Sequence, residues 1–409
     1  MGQESPIEVR RRRVFYIPGY DPIHPRRYRE LYRKEAAEQA KISGYEIELE
    51  AKRSDGPYGW HVVGRMDGAE TQTDVEVLVW SDIVRDSMGH GIFATYVQLL
   101  HTAWIYIGSG ALWRLMRLRK GPVIAALYPV IFLVFQLLTA LLLAWALGCL
   151  LALAHPWAGW AGVLIVPVVL EWFRKRDGRL FAYYLMHDYA YSAQSKGVNP
   201  PELETRMAEF VDRITLALQG DSDEVLVVGH SSGAHLAISI LADLIRAGRV
   251  PADGPALSFL SLGQVVPMVS FLPKAGRLRA DLKFLSQRPE LSWIDVTAPG
   301  DGCAFALCDP VSVSGVAPAT GKRWPLVLSA AFTQTLSPVR WKALRWRFFR
   351  LHFQYLCAFD HPGDYDYFRI TAGPLTLGTR FDGRNPSASR IERPVNKFTN
   401  VTINDSLAA

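Results

Sequence analysis

D-E-V-L-V-V-G-H-S-S-G-A-H-L-A-I-S-I-L-A-D-L, residues 223–244, changes its period half-way along. The first half is a short, almost uninterrupted apolar run, the pattern of a strand covered on both faces. The second half repeats apolar residues at helical spacing. A strand over 224–228 and a helix over 234–247 follow, joined by Gly229-His230-Ser231-Ser232-Gly233, a G-x-S-x-G set. A turn this sharp holds its central residue in a strained backbone conformation, and glycines two places before and after it avoid collisions. The Ser231 hydroxyl is then raised at the strand's end, with the N-terminal N–H groups of the helix aimed at the space beside it. Ser232 is one place out of register for that role. Five letters alone are a weak signal, equally met by an ordinary strand–turn–helix; the strand before and the helix after make it specific.

Outward from this unit the pattern alternates. Residues 14–18, 46–52, 60–64 and 75–80 read as strands, and 24–42 as a charged helix, on the amino-terminal side. On the carboxyl side a helix at 201–219, strands at 256–262, 292–297 and 324–328, and a helical stretch at 341–357 complete the set. Strands interleaved with helices predict an α/β fold with a mostly parallel sheet and flanking helices. The simplest organisation is one domain in two pieces, 1–85 and 179–378, split by an insertion at 86–178 and followed by a polar tail at 379–409.

The insertion has its own composition. Residues 92–118 are aromatic and amphipathic, and residues 121–170 contain no Asp, Glu, Lys or Arg. A bilayer-spanning helix needs ~20 apolar residues. The run therefore predicts two transmembrane helices, at 123–153 and 157–173, turning at His155-Pro156. The first is longer than a bilayer requires, so tilt or an interfacial end is expected. Basic residues flank both outer ends, Arg114 to Lys120 and Arg174 to Arg179, while the turn has none. By the positive-inside rule both ends, and the domain they join, face the cytoplasm. A buried helical pair or lid is the plainer alternative.

V-V-G-H-S-S-G-A (227–234), with Y-I-P-G-Y at 16–20, resembles the α/β-hydrolase superfamily, particularly its lipase and esterase members. With the hairpin included, the chain is similar to a bacterial membrane-associated branch, which implies the inner membrane. The resemblance covers residues 14–80 and 180–375. It implies a serine hydrolase with Ser231 as nucleophile in an elbow formed by Gly229, His230 and Gly233. The backbone N–H groups of Ser232 and Tyr20 are the implied oxyanion donors, the latter following Pro18-Gly19 where relatives carry H-G or P-G. The superfamily's chain order, serine, acid, histidine, leaves His352 and His361 as bases, since His235 sits one turn into the elbow helix and cannot face back. His352 is preferred for its H-x-x-Y context; His361, in a Pro-Gly loop, is the alternative. Asp301, at the carboxyl end of the strand 292–297, is the preferred acid. Asp309, before Pro310, is the alternative or a turn-forming residue, and Asp295 lies mid-strand in a structural position.

No metal or organic cofactor is required by this chemistry. The carboxylates of D-Y-D-Y-F (364–368) lack a second ligand cluster, and Gly19, Gly229 and Gly233 do not form a dinucleotide spacing. The formal charge of +6 is gathered in clusters beside apolar runs, which points to anionic lipid rather than nucleic acid. The stretch W-K-A-L-R-W-R-F-F-R (341–350) reads likewise as an interfacial or packed helix. Four cysteines without a C-x-x-C pair fit a reducing compartment, and no apolar core follows the N-terminal charges to form a signal peptide. The expected partners are a lipid bilayer and an ester or lipidic small molecule; nothing sets an oligomeric state. A thioesterase or acyltransferase would use the same residues, and an inactive membrane scaffold is the rival from another class.

Overall fold

Among the residues described by the computed structural model, 9–52, 56–89 and 91–402, eight strands form one sheet. They are β1 (Arg11–Ile17), β2 (Glu46–Glu50), β3 (Gly59–Met66), β4 (Ala69–Val77), β5 (Glu224–His230), β6 (Ala256–Leu262), β7 (Leu291–Thr297) and β8 (Leu326–Ser329). Their order is β2-β3-β4-β1-β5-β6-β7-β8. From β4 to β8 all neighbours are parallel; β3 runs antiparallel to β4, and β2 to β3. The chain is thus an α/β protein with a mostly parallel sheet.

β5 is buried along its whole length, as its apolar run requires. Its period-two alternation divides it between two cores. Val225 and Val227 face the helices Pro201–Leu218, Gly233–Arg246 and Gly276–Leu285. Leu226 and Val228 face the helices Arg26–Ser43 and Tyr367–Ala372. β1 is β5's neighbour, with Ile17 beside Gly229. After β1 the chain crosses to the β2–β4 side, and after β5 to the β6–β8 side. Two adjacent strands whose continuations diverge leave a crevice at their carboxyl ends.

Several element boundaries differ from the sequence reading. β1 starts at Arg11 because its charges are paired inside the fold: buried Arg12 meets Glu224 at 2.5 Å and donates to the Gly373 and Leu375 carbonyls. β4 ends at Val77 and starts at Ala69, since Asp67 (φ 55°) and Gly68 (φ 81°) form a tight hairpin turn with β3. The stretch 341–357 is not one helix; it breaks into Pro338–Leu344, Phe348–His352 and a 3₁₀ turn, Gln354–Leu356. Trp341 packs on Gly300 and Phe348 on Gly302, a curved surface that a straight rod could not follow.

Between β4 and β5 lie the helix Ile92–Gly108, two apolar helical segments and the helix Ala182–Gln194. Lys120–Ala152 and Pro156–Arg174 are long and apolar enough to cross a membrane, with mean hydropathies of 2.5 and 1.4, and the protein covers little of either. The second begins as a 3₁₀ run, Pro156–Leu164, and continues as the helix Ile165–Arg174. They touch through small residues: a Cβ on Gly162 would lie 2.4 Å from the Ala144 carbonyl oxygen, and one on Gly148 2.7 Å from that of Gly159. A side chain at either place would force the backbones apart. After the short helix Leu377–Arg380 the chain runs irregularly over the body, where Ile391 bridges to Cys308 and Asn396 donates to the Ser270 carbonyl. Residues 403–409 of the expected tail, and residues 1–8, lie outside the described residues.

Candidate active site

Ser231 follows β5 at φ 56°, a left-handed conformation that a residue with a Cβ adopts only at a cost of roughly 1–3 kcal/mol. Its surroundings hold it there. The Ser231 N–H donates to the Leu262 carbonyl at 2.9 Å and its own carbonyl accepts from Ala234 at 3.1 Å. Both flanking glycines are required by close approach. A Cβ on Gly233 would stand 2.1 Å from the Ile17 carbonyl oxygen, and one on Gly229 would stand 2.7 Å from the Ala234 Cα. The helix Gly233–Arg246 is thereby pressed against the end of β1.

The turn after β1 completes the other wall. Gly19 lies so close to Ser231 that a Cβ there would sit 3.4 Å from its Oγ. Trp80 donates through Nε1 to the Pro18 carbonyl at 3.0 Å, and the Tyr184 hydroxyl donates to the Tyr20 carbonyl. These two donors, one buried and one half-buried, fix a turn that a bare Pro-Gly pair would leave loose. Ser232 and Tyr20 line the same cavity as Ser231. Among the described residues neither backbone N–H donates to another protein group.

His352 and Asp301 arrive from two further loops. The His352 Nδ1–H donates to Asp301 Oδ2 at 2.7 Å, and both side chains are buried. The same Oδ2 accepts from the Tyr355 hydroxyl at 3.0 Å, while Oδ1 accepts from the Cys303 N–H at 2.8 Å. The carboxyl is thus held by three donors. His352 Nε2 is buried without a hydrogen-bond partner, and His352 lines the cavity with Ser231. An imidazole fixed at Nδ1 by a carboxylate offers Nε2 as a proton acceptor.

Two residues position this histidine in ways the sequence did not reveal. His230 donates through Nε2 to the His352 carbonyl at 3.0 Å, its ring centroid 4.9 Å from that of His352. Burial, together with the nearby His352, pushes the His230 pKa down to about 3, so it stays neutral. Gly263 (φ 53°) follows β6; a Cβ there would meet Tyr355 at 2.7 Å and His352 at 3.0 Å. Only glycine suits both that conformation and that space.

The alternatives lie elsewhere. His361 is exposed, its N–H donating to the Thr335 carbonyl at 2.9 Å, and it does not line the cavity. Asp309 is buried as the N-cap of the short helix Pro310–Val313 and pairs with Lys322. Asp295 accepts from Ser261 at 2.5 Å beneath the sheet's end, and burial pushes its pKa up to about 8.

Cys303 stands beside the pair: its sulfur and ligand atoms of Asp301 and His352 lie within 4.8 Å of one another. That is a donor set of metal type. Two of its members, however, are already hydrogen-bonded to each other, and burial pushes the Cys303 thiol above its usual range, which keeps it protonated and a poor ligand. Asp188, on the helix Ala182–Gln194, also lines the cavity. Its only signal in the sequence is an isolated acid inside the aromatic run Y-Y-L-M-H-D-Y-A-Y (183–191).

No family model matches the chain, and no curated protein or solved structure matches it either.

Proposed function

We propose that this chain is a membrane-tethered serine hydrolase that cleaves carboxylic esters. The observation that carries the reading is the strained Ser231 in one cavity with a histidine whose other nitrogen is held by a buried aspartate. In the reaction His352 Nε2 takes the Ser231 proton as Oγ attacks the ester carbonyl. Negative charge gathering on the carbonyl oxygen is met by the Ser232 and Tyr20 N–H groups. The imidazolium, steadied by Asp301, returns its proton to the departing alcohol. Water then repeats the sequence on the acyl-serine and releases the acid.

The mostly parallel sheet, with Ser231 after a central strand, supports an α/β-hydrolase type of fold. The two apolar helices support a bilayer hairpin with basic, cytoplasmic ends. Their junction with the site supports a membrane-partitioned substrate. Pro122, near the start of the first apolar helix, lines the cavity, and a Cβ on Gly121 would lie 3.3 Å from the Cα of Gly302 in the loop that bears Asp301. An ester entering there would come from headgroup depth.

The test is labelling of the detergent-solubilised full chain with a fluorophosphonate probe. Wild type is expected to be labelled, and Ser231→Ala to be unlabelled while melting at the same temperature. Folded wild type that takes no label returns the chain to the scaffold reading.

A further inference from the structure

Resting on the hydrolase reading of this cavity, we propose that it contains a subsite for a cationic, ammonium-bearing group of the substrate, built from the Asp188 carboxyl and the tyrosine rings around it. Asp188 is partly buried and lines the cavity with Ser231 and His352. Among the described residues no protein group hydrogen-bonds its carboxyl. Asp21, the other carboxylate lining the cavity, is already paired with Arg27 at 3.1 Å. A half-buried acidic group with no donor on its carboxyl, and only the His352 imidazole near enough to offset its charge, is costly, and fold stability alone gives no reason to keep it.

Its neighbours sharpen the chemistry. Tyr20, Tyr106, Tyr184 and Tyr189 line the same cavity. Three of these hydroxyls are used elsewhere: Tyr20 with Ser87 at 2.6 Å, Tyr106 on the Met268 carbonyl at 3.0 Å, and Tyr184 on the Tyr20 carbonyl. Those three hydroxyls are therefore committed to protein groups, and each side chain adds an aromatic ring to the cavity wall. Aromatic rings lining one cavity with a carboxyl make an environment that attracts an ammonium group and has little to offer a neutral alcohol. Desolvation pushes the Asp188 pKa up to about 7, and the nearby His352 offsets this only in part.

The experiment uses two fluorophosphonates whose alkyl arm ends either in trimethylammonium or in the isosteric tert-butyl group, with the rate of Ser231 labelling as readout. Wild type is expected to react about tenfold faster with the cationic member, the range of a desolvated cation–aromatic contact. Asp188→Asn should bring that ratio close to one, and Asp188→Glu, which keeps the charge, should preserve a preference. Equal rates in wild type would overturn the subsite. So would an Asp188→Asn variant slowed equally with both probes, which would make Asp188 a partner of the His352 imidazolium instead. A second arm titrates Ser231→Ala protein with tetramethylammonium by calorimetry, with and without Asp188→Asn. Asp188-dependent binding in a protein that takes no label would retain the subsite and remove the hydrolase. Labelling without any such binding or preference would do the reverse.

Discussion

Tyr355 shows how much of this site depends on groups that do not touch a substrate. Its hydroxyl accepts from the Ala298 N–H at 2.9 Å and donates to Asp301 at 3.0 Å, tying the acid to the end of β7. Tyr355→Phe removes one of three donors to that carboxylate and leaves the Ala298 N–H without its acceptor. A hydrogen bond to a charged group is worth about 1.5–3 kcal/mol, part of which the two remaining donors recover. Ester turnover is expected to fall about tenfold, in kcat more than in KM, with a lower melting temperature; a KM effect alone would contradict the positioning role. Asp295 carries a different expectation. Its folded pKa of about 8 lies above its ordinary 3.8, because burial outweighs the Ser261 hydrogen bond. The folded state therefore holds a proton that the unfolded chain has already released. Stability is highest below about pH 4 as far as this group is concerned, falls as pH rises through that window, and levels off above about 8. Asp295→Asn removes this titration. Melting temperatures from about pH 5 to 9 should fall less steeply in the variant than in wild type, and parallel curves would refute the assignment.

At the scale of elements, the parts that were legible are those whose signal is local. The strand–turn–helix at 224–246 combines a change of period with a glycine pair, and β6 needed only its own apolar run. The acid and base could be narrowed by chain order and strand ends, yet their pairing depends on loops more than fifty residues apart, which no local pattern encodes. His230 and Tyr355 were in view as motif letters, but their hydrogen bonds run to the backbone of His352 and to Asp301 across the fold. Asp188 was missed because its sequence neighbours in the cavity, Tyr184, Leu185, Tyr189 and Ser192, form no recognisable motif with it. The hairpin between β3 and β4 was missed differently. Asp67-Gly68 is a recognisable two-residue turn, and the strand pattern was sought too late, at 75–80, which overlaps only the last three residues of β4. Likewise β1 was begun at Val14 since four arginines precede it, although a buried arginine with a carboxylate and two carbonyls is well accommodated in a strand.

At the scale of the whole molecule, the proposed orientation follows from how the first apolar helix is divided. Pro122 and Val123 are buried against the body, and Leu127 packs on its core. Val130, Phe132 and Leu133 pack with the helix Ala182–Gln194, and the residues beyond, from Val134 to Ala152, rise ~28 Å, close to a hydrocarbon core of ~30 Å. The apparent excess of length thus belongs to the protein rather than to the bilayer. At the far turn Trp157 and Trp160 are more than 70% exposed, as befits an aromatic belt. On the body side Trp346, 72% exposed, stands among Arg345, Arg347 and Arg350 in the segment that leads to His352. If the hairpin spans the bilayer, Trp157 and Trp346 lie on opposite sides of it, with Trp346 at the surface beside the cavity. After Cys149→Ala, Trp157→Cys and Trp346→Cys should be reached by a membrane-impermeant maleimide from opposite faces, the former in right-side-out vesicles and the latter in inverted ones. Anionic lipid should slow the reaction at position 346 by covering it, and added salt should restore it, since that attraction is screened within about 8 Å at physiological ionic strength. Reaction of both positions from the same face of sealed vesicles would mean that the helical pair lies on the membrane or packs against another protein, and the ester would then have to reach Ser231 from water.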